Sequence, residues 1–223
     1  MREKSELYFE DPLLKLSVGT RLWAKSLRGV LHTVAFVGGG LMIFSDIASI
    51  FSLGMLLLGY TAFRIGRSRR WWSKGHIFRG GNLYPFMQAE SKELLEAASD
   101  RAVIVGGSFL LNLMRELTDT AEVEEVLKRL GIRRDEFAGQ IDKYLQEERK
   151  LKETKAWRAA RAEEAVVKAF TTQSGSKKPI TPKDLFKALR YTENERVQRV
   201  FNLFGVTPEG IEGKAGYNLE HAG

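Results

Sequence analysis

Side chains that carry out catalysis or hold metal ions are sparse in this chain. It has no cysteine, which excludes disulfides, thiolate metal sites and cysteine nucleophiles. Its three histidines, His32, His76 and His221, lie far apart without the spacing of metal ligands. The carboxylates occur in runs among lysines and arginines, a pattern typical of solvated helix faces. No phosphate-binding G-x-x-x-x-G-K-[ST] loop occurs, so we predict a non-catalytic protein with no cofactor and no metal.

The positive charge is concentrated in one part of the chain. The net charge is +7, and residues 1–80 contain 12 Lys/Arg against five Asp/Glu. Residues 81–223 contain 23 of each kind, so the larger part lacks the net basic charge of a nucleic-acid-binding domain. Nucleic-acid binding is the alternative function, because LGIRRDEF resembles a helix-turn-helix corner. Asp135 and Glu136 directly follow its two arginines and argue against it.

An apolar segment covers residues 29–65 and is too long for a single membrane span of about 20 residues. Asp46 is the only charged residue between positions 29 and 63. Ser45 and Asp46 can turn the chain between two helical arms, residues 30–44 and 47–65. The first arm is short, so the segment either spans the membrane fully or forms a re-entrant hairpin.

Basic residues flank the apolar segment on both sides, and tryptophans lie where an aromatic belt would form. The positive-inside rule then places both termini in the cytoplasm and the Ser45-Asp46 turn outside. We therefore predict a transmembrane hairpin in the cytoplasmic (inner) membrane. The flanking residues are Arg21, Trp23, Lys25 and Arg28 on the N-terminal side, and Arg64, Arg67, Arg69, Arg70, Trp71, Trp72 and Lys74 on the C-terminal side.

The rest of the chain contains an internal repeat. VLKRLGIRRDEF, residues 126–137, aligns without a gap to VFNLFGVTPEGI, residues 200–211. Upstream, VGGSFLLNLMREL from Val105 aligns to ITPKDLFKALRYT from Ile180. In both copies a helix with small residues comes earlier. Shared order and apolar spacing over about 60 residues indicate a duplicated unit, and Gly131 and Gly205 are predicted to be equivalent helix stops with positive φ.

Each copy predicts the order helix, loop, helix, short turn, helix, glycine stop and final helix. The fold class is therefore all-α: an N-terminal hydrophobic helical hairpin followed by a two-repeat helical domain. The charged stretch QEERKLKETKAWRAARAEEA is predicted to be an exposed helical connector between the copies. The predicted domains are residues 1–28 (cytoplasmic segment), 29–80 (hairpin and basic flank), 84–212 (double repeat, copies about 84–150 and 154–212) and 213–223 (flexible tail).

This order resembles the Clp N-terminal domain, the double-repeat helical module of Clp-family unfoldase ATPases. The words that carry the resemblance are VGGSFLLNLM and VLKRLGI in copy one, and ITPKDLFKAL and VFNLFGV in copy two. The resemblance covers about residues 84–212 and implies binding of protein substrates or adaptors, with a Clp ATPase or protease as a further partner. The hairpin resembles the anchor of membrane-tethered Clp variants. The chain is then either the N-terminal part of a longer ATPase or a free-standing adaptor.

The resemblance also indicates where partners would bind, near the starts of the second helix in each copy. Ser108, Phe109, Lys183 and Asp184 are the candidate contact residues. Some family members use an acidic residue there to recognise phosphorylated arginine; Ser108 and Lys183 cannot pair with a guanidinium, so we predict no such selectivity. Two of the four have an alternative interpretation, Phe109 as a core residue and Asp184 as a first-turn acid that the helix dipole favours.

Overall fold

The computed structural model describes residues 7–12, 14, 16–70, 81–173 and 178–213. They are mostly helical, which confirms the all-α class. The described residues form two compact units. One, the hairpin unit, consists of residues 16–70; the other, the repeat unit, consists of residues 7–14 and 81–213.

Two long helices make up the hairpin unit: α1 (Val18–Ile43) and α2 (Ala48–Arg70). The chain turns at Ser45 and Asp46, as predicted, and the Ser45 hydroxyl accepts a hydrogen bond from the Ile47 N–H at 3.3 Å. Both helices extend beyond the predicted arms at the ends far from the turn. Ser17 starts α1, its hydroxyl accepting a bond from the Thr20 N–H at 3.1 Å. Trp71, Trp72 and Lys74 lie outside the described residues.

The two helices of the hairpin unit approach each other closely at a pair of glycines. A Cβ on Gly54 would lie 2.8 Å from the Gly39 carbonyl oxygen, and a Cβ on Gly39 would lie 3.2 Å from the Gly54 oxygen. The neighbouring Gly38 and Gly40 face open space. Of the three consecutive glycines, Gly39 is therefore the one at the close contact between the helices, which only a small residue allows.

In the part of the chain that the structure describes, no helix has the length and hydropathy needed to cross a membrane.

The described residues before the hairpin unit, 7–12 and 14, belong to the repeat unit, which corrects the predicted boundary at residue 28. Strand β1 (Leu7–Tyr8) pairs in parallel with β2 (Gly81–Asn82), so GNLYP is not entirely loop. The Asn82 amide accepts the Glu10 N–H and donates to the Glu10 carbonyl, both at 2.9 Å. Phe9 and Leu14 join the core of the repeat unit.

Eight helices of the repeat unit form two equivalent sets of four. Before them, residues 84–86 form one turn of 3₁₀ helix. Copy one contains α3 (Ala89–Ile104), α4 (Phe109–Thr118), α5 (Ala121–Arg129) and α6 (Arg134–Glu147). Copy two contains α7 (Lys155–Thr172), α8 (Pro182–Leu189), α9 (Glu195–Leu203) and α10 (Pro208–Glu212).

Buried positions coincide between the copies in the predicted register. Ala98 and Ala102 on α3 match Ala165 and Ala169 on α7, and all four are buried. Equivalent positions of α4 and α8, and of α5 and α9, are buried in the same way. The further buried pairs are Leu110 with Leu185, Leu111 with Phe186, Leu113 with Ala188, Met114 with Leu189, Val123 with Val197, Val126 with Val200, and Leu127 with Phe201.

The helix stops at Gly131 and Gly205 have the same geometry. Their φ angles are 71° and 62°, which confirms the predicted positive values. In copy one the Gly131 N–H donates to the Lys128 carbonyl and the next N–H, of Ile132, donates to Leu127 at 2.9 Å. Gly205 and Val206 repeat both bonds. This pair of bonds defines a Schellman motif, in which glycine avoids the Cβ penalty of the left-handed region.

The predicted connector is not one continuous helix. α6 ends at Glu147, residues 148–154 are not helical, and α7 begins at Lys155. The break follows from a helix cap: the Thr154 hydroxyl accepts the Trp157 N–H at 3.2 Å and starts a new helix. Part of α7 is also buried rather than exposed, at Ala162 and Ala165. The longer loop predicted after α7 lies partly outside the described residues, at positions 174–177.

One hydrophobic core joins the two copies. Phe137 of α6 contacts three aromatic rings of copy two, with ring centroids 5.9 Å from Phe186, 6.4 Å from Phe201 and 5.1 Å from Phe204. The equivalent residue in copy two, Ile211, is also completely buried. Buried residues of both copies belong to one core. This agrees with the small apolar surface that each copy would bury alone.

Candidate functional site

The start of α4 is the better defined of the two candidate contact regions. Ser108 is the N-cap residue but its hydroxyl does not cap the helix. Its N–H donates to Glu148 Oε2 at 3.1 Å, and the Phe109 N–H donates to Glu153 Oε2 at 2.9 Å. Two carboxylates of the same chain thus satisfy N–H groups that helix starts leave open. The helix dipole favours negative charge at this end.

The side chains of the two candidate residues at this start are inaccessible. Phe109 is completely buried in the core, which confirms its interpretation as a core residue, and Ser108 is buried beside α9. The Asn194 amide, which caps α9, lies 3.5 Å from the Ser108 hydroxyl. A partner at this position would meet Glu148 and Glu153 rather than Ser108 or Phe109.

The start of α8 is satisfied differently. Thr181 and Asp184 form a capping box. The Asp184 N–H donates to the Thr181 hydroxyl at 3.3 Å, and the Thr181 N–H donates to the Asp184 carboxylate at 2.9 Å. The first-turn role of Asp184 is therefore confirmed, and its carboxylate also accepts a bond from the Gln173 amide. The N–H of Lys183 donates to Glu122 Oε2 of copy one at 3.2 Å. Lys183 is half-buried.

Glu122 and Arg196 hold equivalent positions in the first turns of α5 and α9, and each reaches toward the other copy. Glu122 accepts the helix N–H of Lys183 directly. Arg196 instead binds carboxylates, with distances of 2.5 Å to Glu147 Oε2 and 2.9 Å to Glu148 Oε1. Glu148 in turn accepts the Ser108 N–H. The same position therefore links the copies in two ways. Glu122 bonds directly to a helix start, whereas Arg196 reaches one through the carboxylate of Glu148.

Glu153 is the carboxylate of this region that burial affects most clearly. Burial raises the pKa of Glu153 above its ordinary value, although the Phe109 N–H and the nearby Arg158 and Arg161 favour the charged form. The Arg158 guanidinium also donates to the Glu153 carbonyl. The start of α4 is thus a polar cluster closed over by its own side chains, suited to holding the two copies together.

The two arginines of the helix-turn-helix alternative are engaged within the chain. Arg134 lies 2.5 Å from Asp119 Oδ1, and Arg133 lies 3.1 Å from Glu136 Oε1. Hydrogen bonds from Arg115 and Arg134 outweigh the effect of burial and lower the pKa of Asp119. Both guanidiniums therefore pair with carboxylates of copy one.

A groove of about 410 Å³ lies between residues 9–14 and the start of α7. Its lining is mostly apolar, with Phe9, Leu14 and three alanines of α7, and the charged residues along it are Glu10, Asp11, Lys155 and Glu163. The described residues contain no group of three His, Asp or Glu side chains placed to hold a metal ion. The groove offers room for an apolar side chain.

Sequence reasoning missed four of the residues that shape this site: Glu122, Glu148, Glu153 and Arg196. The repeat register does place Glu122 opposite Arg196, so that pair was accessible from the alignment. Glu148 and Glu153 carry no such signal, because their role depends on how residues 148–154 fold back onto α4.

The geometry defines a class of protein: an all-α double repeat with matched glycine stops and a shared core, preceded by a helical hairpin. Comparison with protein-family models, curated proteins and solved structures finds no match.

Proposed function

We propose that this chain is a membrane-tethered, non-catalytic module that binds protein substrates or adaptors of Clp-type protein unfolding and degradation. The observation that supports it is the duplicated helical unit, with its two Schellman corners and matched buried positions. This is the arrangement that the resemblance to the Clp N-terminal domain implies. The entry positions hold Ser108 and Lys183, neither of which is acidic, which supports binding without selectivity for phosphorylated arginine.

The surface of the hairpin unit supports the membrane tether. Many of its described apolar side chains point outward, and several are at least 60 % exposed. The hydroxyls of Thr33, Ser52 and Thr61 donate to carbonyls one turn earlier, so they need no water partner. Residues on this outward surface include Leu31, Val34, Phe36, Leu41, Leu56 and Phe63. Exposed apolar side chains in this number on two paired helices are typical of a membrane or protein contact.

Membrane fractionation tests the tether. We expect the full chain to remain with the membrane pellet after an alkaline carbonate wash. Substituting Leu41→Lys together with Leu56→Lys places charges on the exposed apolar surface and should release the chain. A matched variant, Lys128→Glu with Lys143→Glu, changes two exposed residues of the repeat unit and should stay in the pellet. Release of the unaltered chain by carbonate would contradict membrane insertion.

A pull-down with the full chain in mild detergent tests protein recognition. We expect a Clp-type ATPase, its protease or their substrates to be recovered. The control bait carries Phe137→Asp, which disrupts the shared core of the repeat unit but leaves the hairpin unit unaltered. Proteins recovered equally by both baits come from the hairpin or from co-extracted membrane. Recovery of nucleic acid with a steep salt dependence would instead favour the alternative function.

A further inference from the structure

In the segment between the copies, residues 148–154, the acidic and basic side chains have different surroundings. Its acidic residues are engaged within the repeat unit: Glu148 binds Arg196, and Glu148 and Glu153 accept the N–H groups at the start of α4. Their negative charge is therefore used inside the repeat unit.

The basic residues of the same segment face outward. Arg149, Lys150 and Lys152 are exposed, and within the described part of the chain no ion pair involves any of them. The outer side of residues 149–152 is consequently positive, although the repeat unit has no large net charge. This local field attracts a negatively charged partner.

Exposed apolar side chains lie against this basic segment. Ile104 is 68 % exposed, Val105 46 % and Leu151 45 %. The Gly107 N–H donates to the Leu151 carbonyl at 3.1 Å, which holds the end of α3 against the segment. A Cβ on Gly106 would lie only 2.3 Å from the Arg149 carbonyl oxygen, so the two backbones are in close contact.

We propose that these residues form a docking surface for an acidic segment of a partner protein that also carries apolar side chains. We name it the connector surface: Ile104, Val105, Arg149, Lys150, Leu151 and Lys152. The inference rests on the proposed protein-binding function and names the chemistry of the partner. The charge complementarity sets the acidic character of the partner, and the exposed aliphatic side chains set its apolar component. An anionic lipid surface is less well matched, because lipid-binding clusters contain about four to eight basic residues.

Binding of a defined peptide tests the connector surface. The probe is a short fluorescent peptide in which glutamates alternate with leucines, and the protein is the full chain in nonionic detergent micelles. We expect saturable binding by fluorescence anisotropy, weakened by added salt. Lys150→Glu with Lys152→Glu should raise the Kd about tenfold or more, because like charges then face each other. Ile104→Ser with Leu151→Ser should also weaken binding.

Matched variants and a second peptide keep the test specific. Lys128→Glu with Lys143→Glu makes the same change in net charge elsewhere on the exposed surface and should leave the Kd unchanged. A peptide with lysine in place of glutamate should not bind. All substituted residues are exposed, so circular dichroism should show an unchanged helix content.

Two results would overturn the inference. Equal affinities of the two lysine double variants for the acidic peptide would show that attraction is general rather than local. If Lys150→Glu with Lys152→Glu weakened association with anionic-lipid vesicles but not with the peptide, the surface would be a lipid contact. The pull-down separates this failure from that of the proposed function. Partners recovered undiminished by the Lys150→Glu, Lys152→Glu bait would show that protein recognition stands but uses another surface.

Discussion

Glu122 and Arg196 occupy the same position in two copies of one helical unit, yet they carry opposite charges. Glu122 accepts the N–H of Lys183 directly, whereas Arg196 reaches the start of α4 through Glu148. The equivalence of backbone position is preserved and the chemistry of the contact is not. A helix start needs an acceptor, so a cation at this position requires a carboxylate from elsewhere.

The segment that joins the copies supplies this carboxylate. It runs past the start of α4 only, because it connects the end of α6 with the beginning of α7. Copy one therefore needs glycines where the segment passes close, at Gly106 and Gly107, both with positive φ. In copy two the aligned positions begin with Thr181, which caps α8 with its own hydroxyl. The two copies thus satisfy equivalent helix starts in different ways, because the segment that joins them passes the start of α4 and not that of α8.

The largest expected effect concerns the shared core. Phe137→Ala should lower the free energy of unfolding by about 4 kcal/mol, and Ile211→Ala, at the equivalent position, by about 3 kcal/mol. Phe137 should cost more because its ring contacts three aromatic residues of copy two. Urea unfolding of the full chain in nonionic detergent, followed by circular dichroism, measures both. Leu203→Ala, at an exposed site of α9, should change stability by less than about 0.5 kcal/mol. A loss at Phe137 no larger than at Leu203 would contradict the shared core.

The next effect concerns the asymmetric contact. Gly106→Ala should cost about 3 kcal/mol, because φ is +96° and the new Cβ would meet the Arg149 carbonyl oxygen. Gly131→Ala is the matched comparison, since its φ is also positive but the space around it is open. The difference between the two unfolding free energies measures the contact with residues 148–154. Equal losses for Gly106→Ala and Gly131→Ala would show that residues 148–154 can move away from the new Cβ without loss of stability.

The two helix stops should respond alike. Gly131→Ala and Gly205→Ala should each lower the unfolding free energy by about 1 kcal/mol, because an added Cβ meets nothing at either position and only the backbone conformation is strained. Gly139→Ala, at an exposed position inside α6, should instead raise stability by up to about 1 kcal/mol. Unfolding curves of the three variants test this, and a difference above about 0.5 kcal/mol between the two stops would argue against their equivalence.

The smallest expected effect is a pH dependence. Burial raises the pKa of Glu153, so this residue favours the folded state below its ordinary value of 4.5 and that contribution is lost as pH rises through the raised value. Asp119 has the opposite sign: its contribution is present above its ordinary pKa of 3.8 and is lost as pH falls through the lowered value. Glu153→Gln, which keeps an acceptor for the Phe109 N–H, should flatten the decline of unfolding free energy above about pH 4.5. Asp119→Asn should flatten the loss in acid. Unfolding at a series of pH values tests both, and an unchanged slope for Glu153→Gln would contradict the assignment.

Much of the repeat unit could be predicted from its residues. The glycine stops, the cap at Thr207, whose hydroxyl accepts the Gly210 N–H at 3.1 Å, and the buried positions all follow from local rules. The hairpin turn at Ser45 and Asp46 follows from the same rules. The predicted helical connector was wrong because Thr154 starts a new helix and residues 148–154 turn back toward α4. The contact candidates Ser108 and Phe109 were correctly located at a helix start, but their side chains are buried.

The sequence by itself determined the helices, their stops and the duplication, because these depend on residues that are neighbours along the chain. Only the tertiary structure decided which carboxylates reach each helix start and which side of the connecting segment is basic. It also selected Gly39, rather than Gly38 or Gly40, for the contact with Gly54. These outcomes depend on distances between residues far apart in the chain, such as Phe109 and Glu153, and packing of the whole unit sets those distances.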